Sequence, residues 1–262
     1  MQSIHTCVTP ELLLTRLDAI AFSLRESGKA MGLLGLGSVG KERMRLDPYS
    51  DLDFFVMVEV GHKQRYIEHL DWLEAAHPLA WRFQNTADGH KALMADGVFC
   101  EFAVFEPSEL TRIPFSPGQW IWRSEDLPAE LSEPQIPTPS QKLPDETWLV
   151  GEALSCVFVG LLRWHRGEKL SAARFVQSYA LDRLIELDAM RATANHEVPV
   201  DLFNRERRLE RRQPSLAGEL PSLVPGYAKT PQAALAMLEA LERRRAALNP
   251  AIVDRIRELA SA

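Results

Sequence analysis

Gly37-Ser38-Val39-Gly40-Lys41, followed at residues 49–58 by Tyr-Ser-Asp-Leu-Asp-Phe-Phe-Val-Met-Val, is the stretch on which both the fold and the chemistry turn. Asp51 and Asp53 stand two apart at the head of an apolar run, and a strand's period of two puts both carboxylates on one face. Two like charges side by side repel unless a cation neutralises them. Hard dications such as Mg²⁺ favour an oxygen-only setting of this kind. Alone, the pair also fits a solvent-facing strand start, because Ser-Asp is common in turns.

The segment before it narrows the choice. Met31–Leu36 reads as a short apolar strand, and Gly37–Arg45 as a turn with a short helix. Free N–H groups at a helix start, with the positive end of the dipole, favour an anion. Glycine allows close approach, the Ser38 hydroxyl can donate to a phosphate oxygen, and Lys41 lies one turn later. A third acid follows in Val98–Phe105, a run that is apolar except for Glu101. A carboxylate there is costly unless paired, hydrogen-bonded or metal-bound. If that strand lies beside Asp51 and Asp53, Glu101 is either a third metal ligand or a general base. The plain alternative is an outward-facing surface acid.

Outward from this core, Thr9-Pro10-Glu11 carries N-cap, N1 and first-turn acid chemistry and opens a helix to about Ser27. Leu52–Val60 is a strand whose continuous apolar stretch predicts cover on both faces. Gly61–Ala76 reads as one helix, and Leu79–Phe83, Lys91–Ala95 and Val98–Phe105 as strands. Pro128, Pro134, Pro137, Pro139 and Pro144 mark a linker. Beyond it Glu146–His165 is a helix, and Ser171 is expected to cap the next, with Phe175, Val176, Tyr179, Leu184 and Ile185 on its apolar stripe. Thr230-Pro231 and Asn249-Pro250 each predict an N-cap followed by proline at N1. The expected architecture is an α/β (α+β) domain with a mixed sheet over residues 1–130, then an all-α helical bundle over residues 131–262.

In these motifs the chain resembles the nucleotidyltransferase superfamily with the DNA polymerase β-type core. The stretch Gly37–Val58 is most similar to the small aminoglycoside and lincosamide nucleotidyltransferases, and the resemblance covers roughly residues 31–105. It implies a transferase moving a nucleoside monophosphate from a nucleoside triphosphate to a small-molecule hydroxyl, with pyrophosphate released. Carried over by position, Gly37, Ser38 and Lys41 hold the triphosphate, while Asp51, Asp53 and Glu101 hold two Mg²⁺ ions. Lys41 stands where the antibiotic enzymes often have arginine, and the loop charges Glu42, Arg43, Arg45 and Asp47 depart from the pattern. Two other readings stay open: a transferase acting on a protein or a metabolite, and a non-catalytic nucleotide-binding regulator of the toxin–antitoxin type.

Composition sets the outer bounds. The chain has 262 residues, 46% hydrophobic and 25% charged, which excludes wholesale disorder. Its net charge is −6, and residues 1–130 hold 12 basic against 19 acidic residues while residues 131–262 hold 18 against 17. That balance speaks against a nucleic-acid partner and suits a cationic acceptor such as an aminoglycoside. Cys7, Cys100 and Cys156 are too few and too scattered for a disulfide framework, so reduced thiols in a cytoplasmic protein are expected. The start of the chain lacks a basic segment ahead of an apolar one, so no signal peptide is expected. The apolar run Ala153–Leu162 is read as a buried helix rather than a membrane span. Trp148, Trp164 and Tyr179 are read as core aromatics, Arg163, Arg166 and Lys169 as cations at a helix C-terminus, and Trp120 and Trp122 as residues packing the domain interface rather than walling an acceptor pocket. His165 is expected at the surface, and the arginines between Arg205 and Arg212 are expected on a solvated helical face. The nucleotide base and the oligomeric state, monomer or dimer, stay open.

Overall fold

The computed structural model describes residues 8–136, 145–191, 201, 204–244 and 246–262. Cys7, Pro137, Pro139 and Pro144 lie outside the described residues. The chain divides into two compact units, residues 1–140 and 141–262.

The first unit begins with α1 (Pro10–Glu26), where the Thr9 side chain accepts from the Leu12 N–H at 3.2 Å and Pro10 opens the first turn. β1 (Ala30–Gly35) and β2 (Leu52–Val58) follow, then α2 (Lys63–Glu68) and α3 (Asp71–Ala76). These two short helices replace the single helix expected over Gly61–Ala76. The chain becomes extended at His69, where Arg65 bonds both the His69 carbonyl and the Asp71 carboxylate and so bridges the break. β3 (Leu79–Gln84), β4 (Gly89–Met94), β5 (Phe99–Phe105), α4 (Pro107–Leu110) and β6 (Gln119–Arg123) complete the unit.

The sheet order is β3-β4-β5-β2-β1-β6. β2 and β5 run parallel and every other pair is antiparallel, so the sheet is mixed as expected. One face buries Leu33, Phe54, Val56, Phe102 and Val104 against α1, α2 and α3. The other packs Leu34, Met57 and Phe105 against Leu110, Phe115, Leu127 and Leu131. The apolar run of β2 is thus covered on both sides. β6 is a strand that the sequence reading missed. Trp120 and Trp122 pack within the first unit, on opposite faces of this sheet, Trp120 with the second core and Trp122 with the first. Gly118 lets β6 approach: a Cβ there would stand 2.7 Å from Leu34 and 2.9 Å from the Gly35 carbonyl.

Among the described residues, every regular element of the second unit is a helix. α5 (Glu146–His165), α7 (Ala180–Arg191), α8 (Leu209–Arg212), α9 (Pro214–Leu223), α10 (Thr230–Arg243) and α11 (Pro250–Ser261) share one core, and α6 (Lys169–Arg174) follows α5. α5 is long and apolar enough to cross a membrane by length and composition, and it buries Leu149, Val150, Ala153, Leu154, Val157 and Leu161 in that core. A π-helical turn, Phe175–Tyr179, joins α6 to α7.

Two predicted caps fail. α6 starts earlier, at Lys169, so Ser171 lies inside it and takes a hydrogen bond from Arg163. Thr230 is already helical and buried; its hydroxyl donates to the Tyr227 carbonyl and accepts from Gln177 at 3.0 Å. The Asn249 cap is present and accepts from the Ala251 N–H. Trp148 and Tyr179 are exposed rather than core, because the helix stripes turn them outward. Arg163 and Lys169 lie over the rings of Phe175 and Trp164. His165 is exposed, as expected, and its Nε2 pairs with the Leu259 carbonyl. The arginine run forms a turn and the short α8 rather than one helical face, with Arg208 left-handed at φ 65°.

Arg16 of α1 bonds Asp96 at 2.7 Å and clamps the helix to the β4–β5 turn. Burial alone would raise the Asp96 carboxyl, but hydrogen bonds from Arg16 and the Val98 N–H, with the charge of Arg16 and His77, hold it below its usual value. The stabilisation is complete above the ordinary aspartate range near pH 4 and is lost as pH falls through the lowered native value. Arg16→Met is expected to cost about 1–3 kcal/mol at pH 7 and to flatten the acid limb of stability against pH, measured by denaturant titration.

Candidate active site

The turn after β1 is fixed by backbone before any side chain acts. The Leu36 N–H donates to the Asp53 carbonyl at 2.8 Å, which sets Gly37-Ser38 beside the head of β2. Val39 and Gly40 return N–H groups to the Leu36 carbonyl, closing a 3₁₀ turn over Gly37–Val39. The fold has no room for side chains at its corners. A Cβ on Gly40 would stand 2.4 Å from the Gly35 carbonyl oxygen, and one on Gly35 2.5 Å from that of Val39. Gly37 takes φ +48°, a left-handed value that glycine adopts without strain. The first N–H groups of such a turn have no partner within it, and Ser38 is half-buried there.

β2 and β5 pair in parallel with Asp53 opposite Glu101. Register partners project to the same side, so the two carboxylates are neighbours on the face away from α1, α2 and α3. Asp51 precedes β2 by one residue and is half-buried. The row continues across the sheet, since Lys91 of β4 is the register partner of Glu101, and Phe83 of β3 that of Lys91. Glu101 accepts from Lys91 Nζ at 3.1 Å and from Asn85 Nδ2 at 3.4 Å.

Among the described residues no three His, Cys, Asp or Glu side chains are gathered into a ready metal-ligand set. Glu101 is drawn toward β4 by Lys91 and Asn85. The donors nonetheless suit a hard dication: all are carboxylate oxygens, two in register and the third two residues ahead. Such an ion would take over from Lys91 as the counter-charge of Glu101. Cys100, the neighbour of Glu101, faces the helices; burial pushes its thiol up to about 12, with Asp96, Asp51 and Asp53 adding to the shift. It is a neutral packing group.

Lys41 is exposed and paired with Glu133. Arg45 is the cation beside the turn: its Nη2 lies 3.7 Å, and Asp53 Oδ2 3.9 Å, from where a Cβ on Gly37 would sit. Arg45 is also paired with Glu42, and its Nε is buried.

No family model matches the chain, and no curated protein matches it. Among solved structures it is similar to an aminoglycoside 6-adenyltransferase from Bacillus subtilis, at 12% identity over 97% of both chains with a TM-score of 0.37. A STING-associated c-di-GMP synthase from Capnocytophaga granulosa aligns at 10% identity over 96% of this chain and 83% of its own, with a TM-score of 0.26. A CD-NTase from Bradyrhizobium diazoefficiens, in complex with GTP, aligns at 15% identity over 92% and 97%, with a TM-score of 0.27. At these values the reading of the site rests on this chain's own register and turn.

Lys91, Asn85 and Arg45 were not singled out in the sequence. Lys91 and Asn85 carry no local signal, because only the strand register brings them to Glu101. Arg45 was one of several loop charges with nothing to rank it.

Gly40→Ala is expected to displace the turn at a cost of about 1–3 kcal/mol, read by denaturant unfolding. Lys91→Ala leaves two acids adjacent and costs up to about 1 kcal/mol. Added Mg²⁺ should then raise its melting temperature more than that of the parent.

Proposed function

We propose that the chain is a nucleotidyltransferase, moving a nucleoside monophosphate from a nucleoside triphosphate to a hydroxyl of a small-molecule acceptor. The observation that carries this reading is the in-register Asp53–Glu101 pair, with Leu36, just ahead of the Gly37-Ser38 turn, donating to the backbone carbonyl of the same Asp53. A turn suited to phosphate stands next to acids suited to Mg²⁺, on one side of one sheet.

The roles follow from position. The Gly37-Ser38 turn and the Ser38 hydroxyl donate to phosphate oxygens, with Arg45 and, once released from Glu133, Lys41 adding positive charge. Asp51, Asp53 and Glu101 would hold Mg²⁺, which when bound neutralises phosphate charge and polarises the acceptor oxygen. Glu101 is alternatively the group that takes the acceptor proton. The protein's contribution is positioning and charge compensation, so that the acceptor oxygen attacks the α-phosphorus in line with the departing pyrophosphate. The acidic balance of residues 1–130 favours a cationic acceptor, an aminoglycoside before a lincosamide, and disfavours a nucleic acid. Buried, unpaired Cys100 and Cys156 support a cytoplasmic setting.

The test is pyrophosphate release with each of the four nucleoside triphosphates, Mg²⁺ and a panel of hydroxyl acceptors. Asp53→Asn is expected to lose roughly 10²–10³-fold in rate with native circular dichroism retained. Undiminished turnover in that variant would sink the assignment, and triphosphate binding without release across the panel would favour the regulator reading instead.

A further inference from the structure

β3 is an edge strand, and on it two large aromatic side chains stand in solvent. Trp81 is 49% exposed and Phe83 54%, with ring centroids 6.1 Å apart and planes 28° from parallel. Single exposed aromatics are ordinary on a protein surface, whereas a stacked pair on one strand is an organised apolar patch. Register fixes which way the pair faces. Phe83 partners Lys91, Lys91 partners Glu101, and Glu101 partners Asp53; Trp81 partners Leu93 one row along. The pair therefore shares the face of the carboxylates.

In-line transfer supplies a direction. Under the nucleotidyltransferase reading, on which this inference rests, pyrophosphate departs toward the Gly37-Ser38 turn. That turn follows β1, on the opposite side of β2 from β5. The attacking hydroxyl must approach from the other side of the α-phosphorus, and there the sheet continues as β5, β4 and β3. An acceptor with its hydroxyl at Glu101 would extend over Lys91 and reach Phe83 after two strand spacings, about 10 Å. That span fits an acceptor several rings long.

Charge identifies its class. Asp51, Asp53 and Glu101 stand in a unit whose residues 1–130 hold 12 basic against 19 acidic residues, and Lys91 pairs with Glu101. Aromatic faces attract ammonium groups within about 6 Å of the ring centroid. We propose that Trp81 and Phe83 form the docking platform for the distal ring of a multi-ring, amine-bearing acceptor. The proximal ring carries its hydroxyl to Glu101.

Calorimetric titration of the full chain with neomycin, in the presence of a non-hydrolysable ATP analogue and Mg²⁺, tests this. Trp81→Ala/Phe83→Ala should weaken neomycin at least tenfold and leave affinity for the ATP analogue unchanged, while Trp81→Phe/Phe83→Tyr should bind neomycin as the parent does. Phe83→Lys provides a second variant, since lysine is well tolerated on an edge strand; it should repel neomycin and spare the analogue. The platform is overturned if the parent does not bind neomycin, if the alanine pair binds it undiminished, or if the variants lose the ATP analogue instead, which would make the aromatics a seat for the nucleobase. These titrations need no turnover. A normal pyrophosphate yield from Asp53→Asn would remove the transferase reading while leaving the platform's affinity measurable, so the two failures are distinguishable.

Discussion

The parallel pairing of β2 with β5 puts two carboxylates side by side, and the surrounding architecture answers that constraint. Like charges at register partners destabilise a sheet unless something intervenes. Here Lys91 and Asn85 hold Glu101 from the β4 side, while the turn after β1, with Arg45 near it, lies on the Asp53 side. The pair is tolerable because it sits where β2 and β5 begin, ahead of the part of this face that is packed. Further along the same strands the face is filled by Phe55, Met57 and Phe105. A strand of one chemical character along its whole length would bury the acids or expose the core.

Backbone does the positioning. The Leu36–Asp53 hydrogen bond fixes the turn against the acid whatever the side chains do, and Gly35 and Gly40 let the chain cross itself at near contact. The Asp53 and Glu101 side chains are then carried on paired strands with packed helices behind them, so their directions follow from the ladder rather than from loop conformation.

Much of this was legible in the chain itself. Thr9-Pro10 marks its helix because the cap is a local interaction of three residues. The run Phe54–Val58 marks a doubly covered strand because five consecutive apolar residues have no solvent face. The order of Gly37-Ser38, Asp53 and Glu101 pointed to neighbours, and the register makes Asp53 and Glu101 partners. What was not legible is non-local. β6 is five residues with a Trp-Ile-Trp centre, and only its distant partner β1 makes it a strand. Ser171 and Thr230 have the composition of caps, yet Arg163 and Gln177 compete for their hydroxyls from elsewhere in the fold. Lys91 reaches Glu101 only once the register of β4 on β5 is set. Local chemistry writes itself into sequence, whereas lateral neighbours across a sheet do not.

The connection between the paired strands has a consequence for how the protein comes into being. Between Asp53 and Glu101 the chain completes β2, forms α2 and α3 and builds the β3–β4 hairpin before β5 can dock. Non-local parallel pairing of this kind bears the entropy of closing a long loop before any contact repays it. A nascent chain emerging from the ribosome thus carries the Gly37-Ser38 turn and its first two acids well before the partner strand exists. Until β5 inserts, β2 has an open edge, so the juxtaposition of Asp53 with Glu101 and protection against edge-to-edge association are acquired in the same folding event.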